Sequence, residues 1–303
     1  MIRYRKRRRI GPIVGVAFLA AVLLVTGAVW TNTFGAGDRF DGLMTRIRLI
    51  VAPPPDRPIQ ATVEVTDPPP TPTAAPVLSA APGQTLNPTP TPGPTPERKA
   101  VDFKLHTNPK TMFASEATDV FCAPAGVQIV LAIDGKADNS VAFQHDIAGR
   151  IGEWESRRDS RNGGWGPAAI AQALAAYGVP GYQIRAYEGR DRALHDAAAA
   201  IKTMNAPVLI MAWRGAHTWV MTGYQADADP TVFPDANVTG AYIYDPWYPL
   251  ISSIWGPSDP PGTFQNLDEM RRNFLQWQRP EGSYPDRDGK YIVVVPTVPI
   301  PRS

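Results

Sequence analysis

The sequence predicts an α+β domain over residues 101–303, preceded by about one hundred residues of different character. Helix-like segments come mostly first in this domain and strand-like runs mostly later, which favours α+β over alternating βαβ units. Seven of the eight tryptophans also lie in this stretch, and a segment of this length can bury a sizeable core.

Start and stop signals predict four helices. Pro124 suits a first helical turn, Gly178 suits a helix end, and Asn266 with Glu269 forms a pattern like a capping box. The helices are expected over residues 123–133, 167–177, 191–204 and 270–277. Runs rich in Val, Ile and aromatic residues predict strands. These strands are expected over residues 207–213, 218–224, 241–244 and 291–295.

Composition excludes several classes of protein. The chain has 303 residues, one cysteine and four histidines. One cysteine cannot close an internal disulfide, form a Cys-x-x-Cys zinc site or hold an iron–sulfur cluster. We therefore expect no metal and no cofactor. Residues 1–9 hold six Lys and Arg and no acid, which leaves the remaining residues at −4. A mildly acidic body predicts no nucleic-acid partner.

The N-terminal region predicts a membrane anchor. Residues 1–11 form a basic tail, and residues 12–30 contain no charge and end at Trp30. A transmembrane helix needs about 20 apolar residues, and dense arginines stay cytoplasmic. The alternative is a cleaved signal peptide, but its apolar region is usually about 7–15 residues and ends in a small-residue cleavage site. We therefore expect a single-pass protein of a bacterial cell membrane. Its N-terminus is cytoplasmic, residues 12–30 contact the lipid bilayer, and the C-terminal domain is extracytoplasmic.

A stalk is predicted between the anchor and the domain. Residues 31–50 form a juxtamembrane segment of mixed charge, and residues 51–100 contain 15 prolines. Such a composition cannot pack a core and favours an extended, disordered, polyproline-like spacer. A spacer that crosses a cell wall is the simplest interpretation, so the cell wall is a further candidate partner.

Cys122 is the first candidate for chemistry. It comes at or just before a predicted helix N-terminus, with Pro124 in the first turn. That end of a helix carries partial positive charge and free N–H groups, which favour a thiolate and can bind a developing oxyanion. The alternative is a buried structural cysteine, because free cysteine is among the most buried residue types.

His217 and Asp245 supply possible partners for the thiol. His217 enters a predicted strand, and Asp245 ends the next one. A Cys–His–Asp relay needs a histidine that accepts the thiol proton and an acceptor that orients the ring. Adjacent strands can bring these two side chains together. Taken singly, His217 is also consistent with the edge of a core, and Asp245-Pro246 with an ordinary turn.

Three short motifs carry a family resemblance. The chain has Phe121-Cys122-Ala123-Pro124, then Gly215-Ala216-His217, then Asp245-Pro246. This order resembles the papain-like cysteine peptidases of the double-glycine leader, or bacteriocin-processing, type, which form family thirty-nine of the cysteine peptidases. The resemblance covers roughly residues 106–250. It implies a papain-like fold, with Cys122 as nucleophile, His217 as base and Asp245 as the residue that orients the base.

One position departs from the family pattern in a way that concerns the chemistry. The family has a glutamine six residues before the cysteine, whose amide helps to bind the oxyanion, and this chain has Glu116 there. An ionised carboxylate would repel an oxyanion. It could donate a hydrogen bond only if it were protonated, which requires burial.

Tryptophans near these motifs are candidates for a substrate groove. Trp165 lies in a charged, glycine-rich segment, Trp219 follows His217, and Trp247 follows Asp245. Ordinary core packing accounts for them equally well.

Three functions are consistent with the sequence. The first is a membrane-anchored, extracytoplasmic cysteine peptidase that cleaves a peptide or protein through an acyl-enzyme. The second, suggested by Glu116, is a catalytically weakened papain-like module that binds peptide or cell wall. The third is a transglutaminase-like acyl transferase, which shares the Cys–His–Asp order.

Overall fold

The described part of the chain has a mixed sheet with helices on both faces. The computed structural model describes residues 11–30, 40, 43–44, 47, 51–52, 60–66, 96–154, 165–278 and 286–299. Within these residues the predicted α+β class is confirmed. The basic tail, except for residue 11, and most of the predicted juxtamembrane segment and stalk lie outside the described residues.

Residues 11–30 form the first helix, α1 (Gly11–Trp30). Its described side chains, from Phe18 to Trp30, are largely exposed. Among the described residues, we find no helix whose length and apolar character would allow it to cross a membrane.

The central sheet of the described chain has eight strands, seven of which lie side by side in the order β1-β3-β10-β4-β5-β6-β9. The eighth strand, β2, pairs with the second half of β5. The β1–β3 pair is parallel, and the other pairs are antiparallel. The strands are β1 (Val63–Val65), β2 (Val101–Lys104), β3 (Tyr182–Tyr187), β4 (Val208–Ala212), β5 (His217–Ala226), β6 (Val238–Tyr244), β9 (Thr263–Asn266) and β10 (Tyr291–Pro296). A separate hairpin joins β7 (Ile251–Ser252) to β8 (Gly256–Pro257).

Seven further helices are described. They are α2 (Pro109–Met112), α3 (Cys122–Ile133), α4 (Val141–Gly149), α5 (Ile151–Trp154), α6 (Pro167–Ala176), α7 (Arg190–Met204) and α8 (Leu267–Asn273). The predicted cap of α8 is confirmed, because the Asn266 side chain accepts the backbone N–H groups of Asp268 and Glu269. The predicted end of this helix is wrong. The backbone leaves the helix at Phe274, and Trp277 instead pairs with Lys290.

Alternate residues of the central strands face opposite layers. In β10, Ile292 and Val294 pack with α3 and α6, whereas Val293 and Val295 pack with α7. Burial on both faces explains why β4 and β10 read as continuous apolar runs rather than as an alternating pattern. It also explains why they were predictable as strands.

The predicted boundary between stalk and domain is wrong at one place. Residues 63–65 lie within the segment expected to be disordered, yet they form β1 and pair with Arg185–Tyr187 of β3. The side chains of Gln60, Thr62 and Glu64 also bond to Tyr182, Arg287 and Lys290 of the domain. The physical reason is local: Val63-Glu64-Val65 has high strand propensity, and only the surrounding composition is rich in proline.

Candidate active site

Cys122 is the first residue of α3, as the sequence predicts to within one position. The eleven residues after it in the helix are all buried, so the helix is fixed in the core. Cys122 itself is partly exposed. The residue before it, Phe121, contributes no side-chain cap. The backbone N–H groups of the first turn therefore lie beside a partly exposed thiol, at the positive end of the helix.

A close approach between backbone elements sets α3 against β5. Gly126 lies one turn after Cys122, and a Cβ atom built there would be only 2.9 Å from Cγ2 of Thr218. A glycine thus lets the helix sit closer to the strand than any other residue would allow. Since Thr218 adjoins His217, this contact brings the start of α3 near the start of β5.

His217 and Asp245 form a buried pair. Nε2 of His217 lies 2.6 Å from Oδ1 of Asp245, and both side chains are almost completely buried. A carboxylate only accepts hydrogen bonds, so this contact assigns the Nε2 proton to the histidine. The same Asp245 oxygen accepts the backbone N–H of Trp247 at 2.9 Å. Asp245 is therefore held by the turn that follows β6.

The Cys122 thiol lies close enough to His217 to contribute to its pKa. Because Asp245 occupies Nε2, Nδ1 is the ring nitrogen left for the thiol. Burial alone would lower the pKa of His217. The charge and hydrogen bond of Asp245, together with Cys122, outweigh burial and raise that pKa well above its ordinary value. The surroundings of the imidazole, an acid on one side and a thiol on the other, therefore favour its protonated form.

Glu116 lies in the same site. The residue is 8% exposed, and in the described structure neither carboxyl oxygen has a hydrogen-bond partner. The backbone N–H of Phe121 faces this carboxyl but donates to the carbonyl of Thr118 instead, at 3.0 Å. Burial, with smaller contributions from Asp245 and Asp119, outweighs the opposing effect of His217 and raises the pKa of Glu116 to about 8.

Glu116 is fixed by its own backbone. Its N–H donates to the carbonyl of Pro246 at 2.9 Å, which ties it to the turn that holds Asp245. The buried Gln144 amide then bonds to both neighbours, accepting from Ala117 N–H at 2.6 Å and donating to the carbonyl of Ser115 at 3.0 Å. Sequence reasoning missed Gln144, because no helix was predicted over Val141–Gly149 and an isolated glutamine has no distinct pattern.

An aromatic wall stands beside His217. The Trp213 ring stacks on the imidazole with a centroid distance of 4.1 Å and an interplanar angle of 19°. Trp255 stacks on Trp213 at 5.7 Å, and Trp247 meets the imidazole edge to face at 6.5 Å. Sequence reasoning missed Trp213 and Trp255. The position of Trp213, four residues before His217, was the available signal.

Trp213 is held in an uncommon backbone conformation. Trp213 and Arg214 have φ values of 51° and 61°, which non-glycine residues rarely adopt. The indole Nε1 donates to Oδ1 of Asn273 in α8 at 2.9 Å. Such local strain persists only where the surroundings fix it, and it is frequent at functional sites.

The three tryptophans predicted for a substrate groove have different positions. Trp247 lies at the site, as its contact with His217 shows. Trp165 and Trp219 are only 5% and 3% exposed and belong to the two core clusters. These two are therefore core residues rather than groove residues, because each points into a layer between sheet and helices.

Comparisons with known proteins add little to this geometry. No protein-family model matches the chain, and no curated protein matches it. A similar solved structure is a double-glycine motif protease from an AMS/PCAT transporter in complex with the leader peptide. The two chains are 17% identical with a TM-score of 0.32, over 65% of this chain and 99% of that one. A score of this size supports no conclusion by itself.

Proposed function

We propose that the chain is a papain-like cysteine peptidase in which Cys122, His217 and Asp245 form the catalytic triad. The observation that carries the proposal is the buried His217, which bonds Asp245 through Nε2 and lies close enough to Cys122 for the thiol to raise its pKa. A thiol at a helix N-terminus, a base and a residue that orients the base are the three parts of activated-nucleophile chemistry.

The first half of the reaction forms an acyl-enzyme. The Cys122 sulfur, having given its proton to His217, attacks the carbonyl carbon of a peptide bond. The electron pair of the carbonyl moves onto its oxygen and then returns, which breaks the carbon–nitrogen bond. The protonated His217 gives its proton to the departing amine, and Asp245 stabilises the imidazolium and fixes the ring.

The second half releases the product. His217 takes a proton from water, and the resulting hydroxide adds to the thioester carbon. When the second tetrahedral intermediate collapses, the carbon–sulfur bond breaks and a carboxylic acid leaves. The sulfur again shares a proton with His217. No group beyond the protein and water is needed for this cycle.

The proposed substrate is a peptide or protein. An aromatic wall of Trp213, Trp247 and Trp255 borders the imidazole and would contact residues next to the scissile bond. Leu250, Ile251 and Ile254 lie nearby in sequence and are exposed. Apolar residues in the substrate are therefore the expected preference.

Alkylation by iodoacetamide tests the proposed triad without knowledge of the substrate. Cys122 is the one cysteine of the sequence, so the site of labelling is unambiguous. At pH 6 we expect Cys122 in the purified full chain to react at least about tenfold faster than glutathione, since an ordinary thiol is then less than about 1% thiolate. Cys122→Ala gives the background.

His217→Ala provides the decisive comparison, and His106→Ala is its matched control because His106 is exposed. Loss of the fast reaction in H217A but not in H106A is the expected result. If wild type reacts no faster than glutathione at pH 6, the triad proposal is wrong.

A catalytically weakened binding module is the second candidate, and Glu116 is the observation that favours it. If Glu116 were ionised, it would oppose an oxyanion. In that case iodoacetamide would alkylate Cys122 rapidly, but an ester would acylate it slowly at every pH. Glu116→Gln would then raise the acylation rate at every pH. An assay with a glutamine peptide and a primary amine tests transglutaminase chemistry in the same preparation.

The location of the domain is also a proposal, and it rests on the sequence alone. The uncharged residues 12–30 and the six cations within residues 1–9 support an N-terminal membrane anchor with the domain outside. Membrane fractionation, followed by protease treatment of intact cells, tests it. Recovery of the full chain in the soluble fraction would contradict it.

A further inference from the structure

We infer that Glu116 is a catalytic residue which, in its neutral form, donates a hydrogen bond to the oxyanion formed when Cys122 attacks a carbonyl. This inference rests on the proposed peptidase function and deepens it. Glu116 must be neutral for this role, because an ionised carboxylate would repel the oxyanion.

Two kinds of donor can meet at the site. The first turn of α3 leaves backbone N–H groups without intrahelical partners, and Phe121 adds no cap. Glu116 reaches the site from the preceding segment, held by Pro246 on one side and Gln144 on the other. In the inferred arrangement, the oxygen of a carbonyl bonded to the Cys122 sulfur accepts hydrogen bonds from both of these elements.

The carboxyl of Glu116 receives only a small contribution from the backbone N–H of Phe121, which donates to the carbonyl of Thr118. Both oxygens are buried, and neither has a hydrogen-bond partner in the described structure. A buried polar group without a partner costs free energy, and in native proteins such groups call for a functional explanation. An oxyanion that is present only during the reaction would supply the missing partner.

Burial and the charged neighbours of Glu116 together set its protonation. His217 of β5 is cationic and favours the carboxylate. Asp245 at the end of β6 and Asp119 before α3 are acidic and favour the neutral acid, as does burial itself. Burial has the largest effect, so the pKa of Glu116 rises to about 8 and the acid is mostly neutral at pH 7.

A neutral carboxyl group matches an amide in the property that the reaction needs. The neutral carboxyl group of Glu and the amide of Gln each carry one hydrogen-bond donor group and one carbonyl oxygen, and the two side chains have the same length. Glu116 keeps its proton throughout. It donates a hydrogen bond when the carbonyl oxygen becomes negative, and the bond weakens again when the carbonyl re-forms. Donors placed in this way typically contribute about 10²–10³-fold to the rate.

The test compares two reactions of Cys122 in the full chain from pH 5 to pH 9. Acylation by the p-nitrophenyl ester of benzyloxycarbonyl-glycine passes through an oxyanion, and it is read as the burst of p-nitrophenolate. Alkylation by iodoacetamide depends on the same thiol and the same His217 but forms no oxyanion. The acylation rate divided by the alkylation rate therefore reports on the oxyanion donor, because the reactivity of the thiol affects both rates alike.

In wild type we expect this ratio to be constant below about pH 7 and to fall about tenfold by pH 9, as Glu116 ionises. Glu116→Gln should keep the wild-type ratio within a few-fold at pH 6 and remove the decline at high pH. Glu116→Ala should lower the ratio by about 10²–10³-fold below pH 7, and this difference from wild type should narrow about tenfold by pH 9. Glu188→Gln removes an exposed carboxylate and serves as the matched control.

Three results would overturn the inference while Cys122 still alkylates rapidly. They are a wild-type ratio that stays flat to pH 9, an E116Q ratio as low as that of E116A at pH 6, and an E116A ratio equal to wild type. Slow alkylation in wild type would instead contradict the proposed triad, so the two failures are distinguishable. Circular dichroism of each variant verifies that it is folded.

Discussion

Nε2 of His217 lies 2.6 Å from Oδ1 of Asp245, and that oxygen also accepts the backbone N–H of Trp247. The acid that orients the imidazole is thus itself oriented by the turn at the end of β6. Its position depends on the backbone and not only on the pairing of two side chains. The pair is also shielded from water, which strengthens its electrostatic interaction.

Replacing the acid tests this arrangement. We expect Asp245→Asn to keep the side-chain volume but remove the charge that holds His217 protonated. Ester acylation by Cys122 should then fall by roughly 10²–10⁴-fold. The exposed Asp268→Asn is the control. Equal rates in D245N and wild type would show that Asp245 has no part in the reaction.

The stacked indole should support the protonated imidazole. A cation over an aromatic face gains about 0.5–2 kcal/mol, and Trp213 lies 4.1 Å from the His217 ring. Trp213→Ala should lower the pKa of His217, which weakens the thiolate–imidazolium pair and slows alkylation of Cys122 at pH 6. Trp213→Phe retains a ring and should have a smaller effect. An unchanged pH profile in W213A would mean that the stacking is only structural.

The contact between α3 and β5 sets the spacing of the site. Gly126→Ala introduces a Cβ atom only 2.9 Å from Cγ2 of Thr218, so helix and strand must move apart. Alkylation of Cys122 should slow in this variant. Thr218→Ser removes the clashing methyl group, and the double variant should recover most of the lost rate.

Gly149→Ala is the matched control for this experiment, because nothing lies within 4 Å of an added Cβ atom at that position. If G126A alkylates as fast as G149A, the helix is not held against the strand as tightly as the structure indicates.

The buried Glu116 should make folding depend on pH. Its pKa rises from about 4.5 in the unfolded chain to about 8 in the folded protein, so the folded state binds more protons between these values. The contribution of Glu116 to the free energy of unfolding is fully present below pH 4.5 and is lost as the pH rises through 8. The lost free energy is about 3–5 kcal/mol.

The variant Glu116→Gln should therefore gain stability relative to wild type as the pH rises from 4.5 to 8, with no further gain above that. Urea unfolding at pH 4, 6, 8 and 9 measures the difference. The raised pKa of His217 acts in the same direction in both proteins and largely cancels in the comparison. A constant difference across this range would show that Glu116 is ionised in the folded protein.

The parts of the molecule that sequence reasoning predicted are those with local signals. Continuous apolar runs marked β4 and β10, and Asn266 marked the start of α8. A Cys–His–Asp relay could be predicted because Cys122, His217 and Asp245 each lie where a helix or strand begins or ends. That these residues meet depends on strand order and on the close contact at Gly126, which no single segment encodes.

The parts that were missed depend on long-range context. Trp219 carries the same side chain as Trp247, but β5 is buried on both faces, so Trp219 points into the core while Trp247 in a turn reaches the site. The neutral state of Glu116 could be stated as a condition from sequence. Whether that condition is met depends on burial, on Asp119 in the same segment, and on the charges of His217 and Asp245 from two other segments.

The outer position of β1 has a practical consequence for anyone who prepares the domain alone. A fragment begun at residue 101, where the composition changes, would lack β1 and leave the whole length of β3 (Tyr182–Tyr187) as a bare edge. Unpaired strand edges recruit other chains and cause aggregation. A soluble preparation should therefore begin ahead of Gln60 and keep the proline-rich segment as a tether.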